Sequence, residues 1–318
     1  MVNESATEKF RHAQTSGKIV IDYVCLPETS PVCNFGKCDQ CYILASEAYK
    51  YRVARTEEKI LCDLETLVDS GYEVFLVTTE LLQFKNYLKM LQTINENHFL
   101  TNGIIISQKP DILKDLKNIG IEQITLTGNL NDAGYRLPDN KYTIGAIQKI
   151  ILANITPVLH INITENNIEK VEESIKYYYN IGVRNFRFGR FVPLTNNSIG
   201  PKPVEGYAVL KFLREIEKAK QKYPYDKKTK TGTYIGVIGN FGTQYRDDAH
   251  KYRCPVGKSQ FTIGPDNFIY PCIYLMQVEN RIGRWVNRTL KIDTTWAIEG
   301  EELDCPAFRF YKKTLGSN

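Results

Sequence analysis

The stretch that decides the fold runs Cys33-Asn-Phe-Gly-Lys-Cys38-Asp-Gln-Cys41-Tyr42. It places three thiols within nine positions and follows an apolar run, Ile19–Cys25, that has the pattern of a buried strand. Because a loop can wrap, all three thiols can reach one metal centre. Iron–sulfur clusters take thiolate ligands, and three thiolates leave one iron of a [4Fe–4S] cluster open for a small chelating molecule. The alternative is a structural zinc site with Cys25 as its fourth ligand.

A second group of cysteines, Cys254, Cys272 and Cys305, lies near the end of the 318-residue chain. Disulfides form poorly in a reducing cytoplasm, so clustered cysteines indicate metal or redox chemistry. Cys62 stands alone on the flank of a predicted helix, where it is expected to act as a small apolar residue. Cys25 closes the first strand. We predict that Cys25 is a buried structural thiol, with a hydrogen-atom donor as the alternative.

Strand-like and helical patterns alternate along the chain, and we expect the alternation to stop after about residue 200. The strand-like runs are Ile19–Cys25, Val74–Val77, Gly103–Ile106, Gln123–Thr127, Val158–Ile163 and Asn185–Val192. Thr56 is predicted to cap the first helical stretch between them. The helical stretches stop at glycines, among them Gly71, Gly120 and Gly182, as is common before a following strand. Six strand–helix units in succession predict an α/β fold with a parallel sheet, either open and curved or a partial barrel. Functional side chains should then follow the carboxyl ends of the strands.

Composition and charge indicate the size of the hydrophobic core, the domain organisation and the cellular location. The chain is 42% hydrophobic and 24% charged, enough for one large core and a smaller appendage. We predict an α/β domain over residues 1–200, a helical bridge with a basic loop over 201–235, and a small cysteine-bearing domain over 236–318. Much of the net charge of +5 lies in Lys218–Lys230, a solvated loop by this interpretation, so a nucleic-acid partner is not favoured. Without a signal peptide or an apolar run of about 18 residues, the protein is predicted to be cytoplasmic and not membrane-bound.

The first cysteine segment resembles the radical S-adenosylmethionine (radical SAM) superfamily, whose members carry three cysteines after the first strand of a partial (βα)6 barrel. The usual spacing is C-x3-C-x2-C, whereas this chain has C-x4-C-x2-C, with Gln40 where an aromatic residue is usual. Thr78-Thr79-Glu80 is similar to the segment that binds the methionyl amine of SAM, and Thr101-Asn102-Gly103 is similar to a segment that leads the third strand. The resemblance implies a catalytic [4Fe–4S] cluster on Cys33, Cys38 and Cys41, with SAM on its open iron.

Further SAM-binding residues follow from the same resemblance. His160 and Asn162 share one face of the fifth strand, because side chains alternate along a strand. We expect Asn162 to lie near SAM and His160 to be a hydrogen-bonded core residue. The full set of predicted SAM-binding residues is Tyr42, Thr78, Thr79, Glu80, Thr127, Asn162 and Phe191.

The second cysteine group includes a predicted hairpin. Gln260–Gly264 and Phe268–Cys272 have strand patterns on either side of a turn at Pro265-Asp266-Asn267. The segment resembles the SPASM/twitch extension of radical SAM enzymes, with Asn267 where that pattern has glycine. Asparagine tolerates the left-handed conformation that the turn would need. The resemblance implies a second, auxiliary [4Fe–4S] cluster on Cys254, Cys272 and Cys305, with His250 a candidate fourth ligand. A small zinc ribbon is the alternative.

The resemblance also implies the reaction, an oxidoreductase chemistry in which SAM is reductively cleaved to methionine and a 5′-deoxyadenosyl radical that abstracts a substrate hydrogen atom. An electron donor such as flavodoxin or ferredoxin would be needed. A ribosomally made peptide is the favoured substrate, with a crosslink, oxidation or epimerisation as the outcome. Fewer than 20 residues precede the first strand, so we expect no fused recognition domain and consider a separate peptide-recognition protein. The alternatives are a dehydrogenase or epimerase of a small polyol or aminosugar, and a non-catalytic iron–sulfur or zinc protein that binds a partner.

Overall fold

The computed structural model describes residues 19–28, 31–35, 38, 41–128, 140–192, 202–238, 254, 256–257, 259–293, 305–307 and 310–311. The chain divides into two compact units. The first comprises Met1–Lys37, Cys41–His98 and Cys254–Glu302, and the second comprises Cys38–Gln40, Phe99–Arg253 and Leu303–Asn318. These units interleave along the chain. The three consecutive domains expected from the sequence, 1–200, 201–235 and 236–318, stay predictions.

Strands and helices alternate along most of the described chain. The strands are β1 Val20–Val24, β2 Glu73–Val77, β3 His98–Thr101, β4 Gln123–Thr127, β5 Thr156–Ile163, β6 Asn185–Arg190, β7 Tyr225–Asp226, β8 Thr231–Gly232, β9 Tyr234–Val237, β10 Gln260–Ile263, β11 Phe268–Tyr270, β12 Gly283–Val286 and β13 Thr289–Ile292. The helices are α1 Tyr42–Ala45, α2 Glu47–Lys50, α3 Glu57–Asp69, α4 Tyr87–Thr93, α5 Ile104–Gln108, α6 Ile112–Asn118, α7 Asn140–Leu152, α8 Val171–Asn180 and α9 Gly206–Lys222.

The first unit contains a six-stranded sheet in the order β13-β12-β11-β10-β1-β2. β1 is completely buried and pairs in parallel with both β2 and β10. The predicted hairpin is confirmed, since β10 and β11 pair antiparallel and Asn267 has a φ of 67° at the turn. The parallel pairing of β10 with β1 was not predicted, because no local sequence pattern indicates it. As a result, the carboxyl ends of β1, β2 and β10 lie at the same edge of this sheet.

The second unit contains a five-stranded sheet in the order β3-β4-β5-β6-β9, in which β4, β5, β6 and β9 run parallel. The strand–helix alternation was expected to stop near residue 200, but α9 and β9 continue it. β9 is only four residues long and includes Gly236, so it carries too little periodicity to be recognised from sequence. The basic stretch after α9 forms a short hairpin of β7 and β8.

The third strand lies earlier in the chain than the sequence pattern predicts. Gly103–Ile106 was predicted as a strand, whereas α5 begins at Ile104 and the strand is β3, ending at Thr101. Gly103 has a left-handed φ of 82°, and the Asn102 side-chain oxygen accepts a hydrogen bond from the Ile104 N–H at 3.0 Å. This turn starts a helix, and a short run of isoleucines fits a helix or a strand equally well. Thr101-Asn102-Gly103 therefore ends the third strand and does not lead it.

The helix boundaries predicted from capping residues are correct. The Thr56 side chain accepts a hydrogen bond from the Lys59 N–H at 3.2 Å and caps α3, which buries Ile60 and Leu64. Gly71, Gly120 and Gly182 have φ values of 82°, 90° and 105° where the helices stop. In the part of the chain that the structure describes, no helix is long and apolar enough to cross a membrane.

Candidate functional site

The loop after β1 is bound to the segment after β2. The Gln83 side-chain oxygen accepts a hydrogen bond from the Asn34 N–H at 2.8 Å, and its side-chain nitrogen donates to the Pro31 carbonyl at 3.0 Å. The Thr79 hydroxyl donates to the Val32 carbonyl, and the Cys33 thiol lies 3.9 Å from the Thr79 carbonyl oxygen. The structure thus joins the predicted cluster loop to the predicted SAM-binding segment at one edge of the sheet.

Cys33 lies close enough to Cys41 to influence the ionisation of the Cys41 thiol. Burial raises the pKa of the Cys41 thiol, hydrogen bonds from the Leu44 and Ile43 N–H groups lower it, and Cys33 raises it again. Cys41 also caps α1, because its sulfur accepts a hydrogen bond from the Leu44 N–H at 3.5 Å. A thiol fixed at a helix N-terminus is held in one orientation, which suits a metal ligand.

In the predicted SAM-binding segment, one buried polar side chain accepts a hydrogen bond, and another has no hydrogen-bond partner in the described structure. Glu80 is buried, and its carboxylate caps the short 3-10 helix Leu81–Gln83 by accepting a hydrogen bond from the Leu82 N–H at 3.2 Å. The Thr78 hydroxyl is buried without a hydrogen-bond partner in the described structure. A buried polar group without a partner is uncommon and calls for a ligand or water. The thiols and this hydroxyl fit an iron–sulfur cluster with SAM.

Two tyrosines connect the two cysteine segments of the first unit. The rings of Tyr42, next to Cys41, and Tyr274, two residues after Cys272, are T-shaped with centroids 5.2 Å apart. The Tyr274 N–H donates a hydrogen bond to the Cys272 sulfur at 3.5 Å. Burial raises the pKa of Tyr42 well above its usual value, and Tyr274, Cys41, Asp22 and Cys272 add to the rise. Tyr42 was predicted to contact SAM, but Tyr274 was not recognised, because nothing local distinguishes it.

Asp22 is a buried carboxyl that was not predicted as a site residue. It accepts hydrogen bonds from the Gln260 amide at 2.8 Å and the Thr262 hydroxyl at 3.4 Å, both on β10. Burial raises its pKa to about 7, although these two hydrogen bonds act in the opposite direction. The sequence could have indicated Asp22 as a site residue, because an aspartate inside the apolar strand Val20–Val24 is unusual.

A cleft of about 1220 Å³ opens in the first unit at the carboxyl ends of β1 and β10. Its walls are mainly apolar and include three charged side chains, Glu28, Arg52 and Arg55. Cys25 also lines the cleft and is 1% exposed, and burial raises its pKa to about 12. The thiol of Cys25 is therefore protonated at neutral pH, as expected for a structural residue, and a neutral thiol is also the form that a hydrogen-atom donor needs.

The polar residues predicted on β5 lie together in the second unit. A ring nitrogen of His160 is 3.3 Å from the side-chain oxygen of Asn162, and burial lowers the pKa of His160 to about 4. A Cβ placed on Gly189 of β6 would lie 3.0 Å from each of these two atoms, so the glycine makes room for the pair. Thr127 is half-buried at the end of β4, and Phe191 follows β6 with 9% exposure. His160 is thus a neutral, hydrogen-bonded residue, as expected.

The remaining predicted ligands are divided between the units. Cys254 and Cys272 belong to the first unit, whereas Cys38 and Cys305 belong to the second. Within the described ranges, no three His, Cys, Asp or Glu side chains form a group that could hold a single metal ion. The thiolates of a four-iron cluster bind separate irons and need not meet at one point. His250 and Gln40 lie outside the described residues.

The chain matches no protein-family model and no curated protein by sequence. Its fold is similar to solved structures. SuiB from Streptococcus suis bound to precursor peptide SuiA aligns over 92% of this chain and 69% of its own, with a TM-score of 0.62 and 13% identity. SuiB bound to S-adenosylmethionine gives the same values. Native anSMEcpe with bound AdoMet aligns over 83% of this chain and 77% of its own, with a TM-score of 0.57 and 15% identity. The chain has the radical SAM fold.

The radical SAM fold confirms the α/β class and the resemblance derived from the cysteine motif. The Cys33–Cys41 loop follows the first strand, and the segment at Thr78–Glu80 follows the second, which is the order that the motifs predicted. At 13–15% identity, the likeness establishes the fold and nothing finer. The ligand assignments and the substrate therefore depend on the residues of this chain.

Proposed function

We propose that this protein is a radical SAM enzyme that modifies a peptide. The observation that carries the proposal is the pair of bonded loops at the carboxyl ends of β1 and β2, one with Cys33 and Cys41 and the other with Thr78–Glu80. Loops at this edge of a parallel sheet are where α/β proteins bind their ligands. The likeness to the SAM-bound structures of SuiB and anSMEcpe supports the same ligand here.

Cys33, Cys38 and Cys41 would hold a [4Fe–4S] cluster, and Cys254, Cys272 and Cys305 would hold an auxiliary one. When bound, the first cluster with SAM supplies a one-electron cleavage that yields methionine and a 5′-deoxyadenosyl radical. The Thr78 hydroxyl would accept a hydrogen bond from the methionyl ammonium. The buried charge of Glu80 would stabilise the same ammonium. On β4 to β6, Thr127, Asn162 and Phe191 would contact the rest of SAM.

The cleft favours a peptide over a small polyol or aminosugar. Its volume of about 1220 Å³ exceeds the roughly 300–1,000 Å³ of typical small-molecule sites. Its walls include apolar residues such as Leu26 and Val53, with Arg52 exposed at one side, whereas a polyol site would need many convergent polar groups. SuiB bound to precursor peptide SuiA, and anSMEcpe bound to a peptide, are consistent with this substrate class. We also propose that the protein is cytoplasmic and that flavodoxin or ferredoxin supplies its electrons.

Anaerobic reconstitution with iron and sulfide tests the enzyme class. The wild-type protein should bind about eight irons and, once reduced, convert SAM to 5′-deoxyadenosine. A variant with Cys33→Ala, Cys38→Ala and Cys41→Ala should bind about four irons and form no 5′-deoxyadenosine. Cys62→Ala, which removes a half-buried thiol from α3, is the matched control and should change neither result. A zinc-containing protein without 5′-deoxyadenosine formation would exclude the proposal.

The substrate and the Cys25 alternative need separate measurements. Synthetic copies of short peptides encoded beside the gene, incubated with SAM and reductant, should change in mass after oxidation or crosslinking, or take up solvent deuterium after epimerisation.

The Cys25→Ala variant should retain 5′-deoxyadenosine formation, whether Cys25 is structural or a hydrogen-atom donor. If Cys25→Ala also abolishes deuterium uptake into an epimerised peptide, the thiol is the hydrogen-atom donor. If the peptide product is unchanged, Cys25 is structural.

A further inference from the structure

The contact between Tyr42 and Tyr274 lies between the two cysteine segments of the first unit. The two rings meet edge to face at 5.2 Å between centroids, within the usual range for a favourable aromatic pair. One ring belongs to the residue directly after Cys41, and the other belongs to the residue two positions after Cys272. Both cysteines are proposed cluster ligands, so this inference rests on the proposed function.

Each ring is held close to the sulfur of its own segment. On one side, Cys41 caps α1 and is covalently joined to Tyr42, which begins that helix. On the other side, the Tyr274 N–H donates to the Cys272 sulfur at 3.5 Å. From sulfur to sulfur, the path therefore consists of covalent bonds, one hydrogen bond and one ring contact.

The surroundings hold the Tyr42 end of this path in place. Cys41 and Tyr42 pack against a buried cluster of Val24, Ile43, Ala48, Tyr270 and Met276. Ile43 belongs to the first cysteine segment, whereas Tyr270 and Met276 flank Cys272 in the second. Close packing of this kind limits side-chain motion, so the Tyr42 ring is held in position.

We propose that Tyr42 and Tyr274 form the path by which one electron passes between the two iron–sulfur clusters. In this step the cluster on Cys254, Cys272 and Cys305 is oxidised by one electron, and the cluster on Cys33, Cys38 and Cys41 is reduced by one electron, or the reverse. No bond forms or breaks, and both phenols keep their protons. The rings act as a bridge between the sulfurs and are not themselves oxidised.

The test is electron transfer measured by freeze-quench EPR on the reconstituted protein. Oxidised protein is mixed with a limiting one-electron reductant, and the signal of each cluster is followed with time. A Cys272→Ala variant, which retains only the first cluster, identifies the two signals. Tyr42→Leu and Tyr274→Leu should each slow transfer between the clusters by about tenfold or more, equivalent to about 1.4 kcal/mol in the barrier. Tyr42→Phe and Tyr274→Phe keep the ring and should transfer at the wild-type rate.

Controls separate the path from other effects. Tyr207→Leu, which removes an exposed ring from α9, should leave the rate unchanged. Iron content and the reduction potential of each cluster are measured in every variant, because a changed potential would alter the driving force. Leucine variants that transfer at the wild-type rate, or phenylalanine variants that slow as much as leucine, would overturn the proposal. Loss of iron in both leucine variants would also overturn it, since the rings would then serve assembly.

The same experiment distinguishes this failure from failure of the proposed function. If the wild-type protein binds no iron–sulfur cluster, or forms no 5′-deoxyadenosine, the enzyme class is wrong. If both clusters are present and SAM is cleaved, but the ring substitutions do not affect transfer, only the electron path is wrong.

Discussion

The guanidinium of Arg55 donates a hydrogen bond to the side-chain oxygen of Asn267, although 212 residues separate the two. Arg55 precedes α3, and Asn267 occupies the hairpin turn between β10 and β11. The same guanidinium donates to the Gly264 carbonyl at 3.1 Å and to the Tyr23 hydroxyl at 3.0 Å. One buried side chain thus joins the amino-terminal strand to the hairpin that leads to Cys272.

Replacing Arg55 should destabilise the first unit. Arg55→Met keeps the stem of the side chain and leaves buried acceptors without donors, so the free energy of unfolding should fall by about 3 kcal/mol. Arg52→Met is the matched control from the same segment. Arg52 is exposed, and its loss should change stability by no more than about 0.5 kcal/mol. Urea unfolding followed by circular dichroism measures both, and equal effects of the two substitutions would contradict the interpretation.

Asn267 should depend on both its backbone and its side chain. Asn267→Gly removes the partner of Arg55 but tolerates the φ of 67°, so the unfolding free energy should fall by about 1 kcal/mol. Asn267→Ala loses the same hydrogen bond and adds left-handed strain, which should raise the total loss to about 2–3 kcal/mol. Thermal and urea unfolding of the two variants give the comparison. An alanine variant as stable as the glycine variant would show that the turn relaxes.

Asp22 should make stability depend on pH. Its pKa in the folded protein is about 7, compared with an ordinary value of 3.8, because burial disfavours the charged form. Well below pH 3.8 the carboxyl is protonated in the folded and unfolded chains alike. As the pH rises to 7, the unfolded chain loses its proton first, so the unfolding free energy should fall, by about 4 kcal/mol in all.

Asp22→Asn should remove this dependence, because the amide does not titrate. Urea unfolding of both proteins across pH 4 to 8 measures the difference between their slopes. The variant should be the more stable of the two at pH 8 and should lose that advantage near pH 4. Identical slopes for the two proteins would assign the pH dependence to other groups.

Gly189 should not accept a side chain. A Cβ there would lie 2.9 Å from Ile238 Cδ1 and 3.0 Å from the polar atoms of His160 and Asn162. Gly189→Ala should therefore lower the unfolding free energy by about 1–3 kcal/mol through overpacking. Combining it with Asn162→Ala should recover part of the loss, because one of the clashing atoms is gone. Purely additive losses in urea unfolding would contradict the contact.

Local sequence was enough for much of the fold. Thr56 as a helix cap, the glycines that stop three helices, and the Asn267 turn were all predicted correctly, because each depends on a few adjacent residues. The cysteine spacing and the order of the motifs around it were enough to predict the radical SAM fold. The third strand was placed wrongly, since a run of isoleucines fits either structure until the left-handed turn at Gly103 is known.

Long-range contacts decided the rest. The parallel pairing of β10 with β1 joins residues 240 positions apart, and no local pattern encodes a partner at that distance. That pairing buries Asp22 against Gln260 and Thr262 and places the hairpin turn at the carboxyl end of β1. The roles of Arg55 and Tyr274 arise in the same way, because a side chain's burial and partners depend on how distant segments pack.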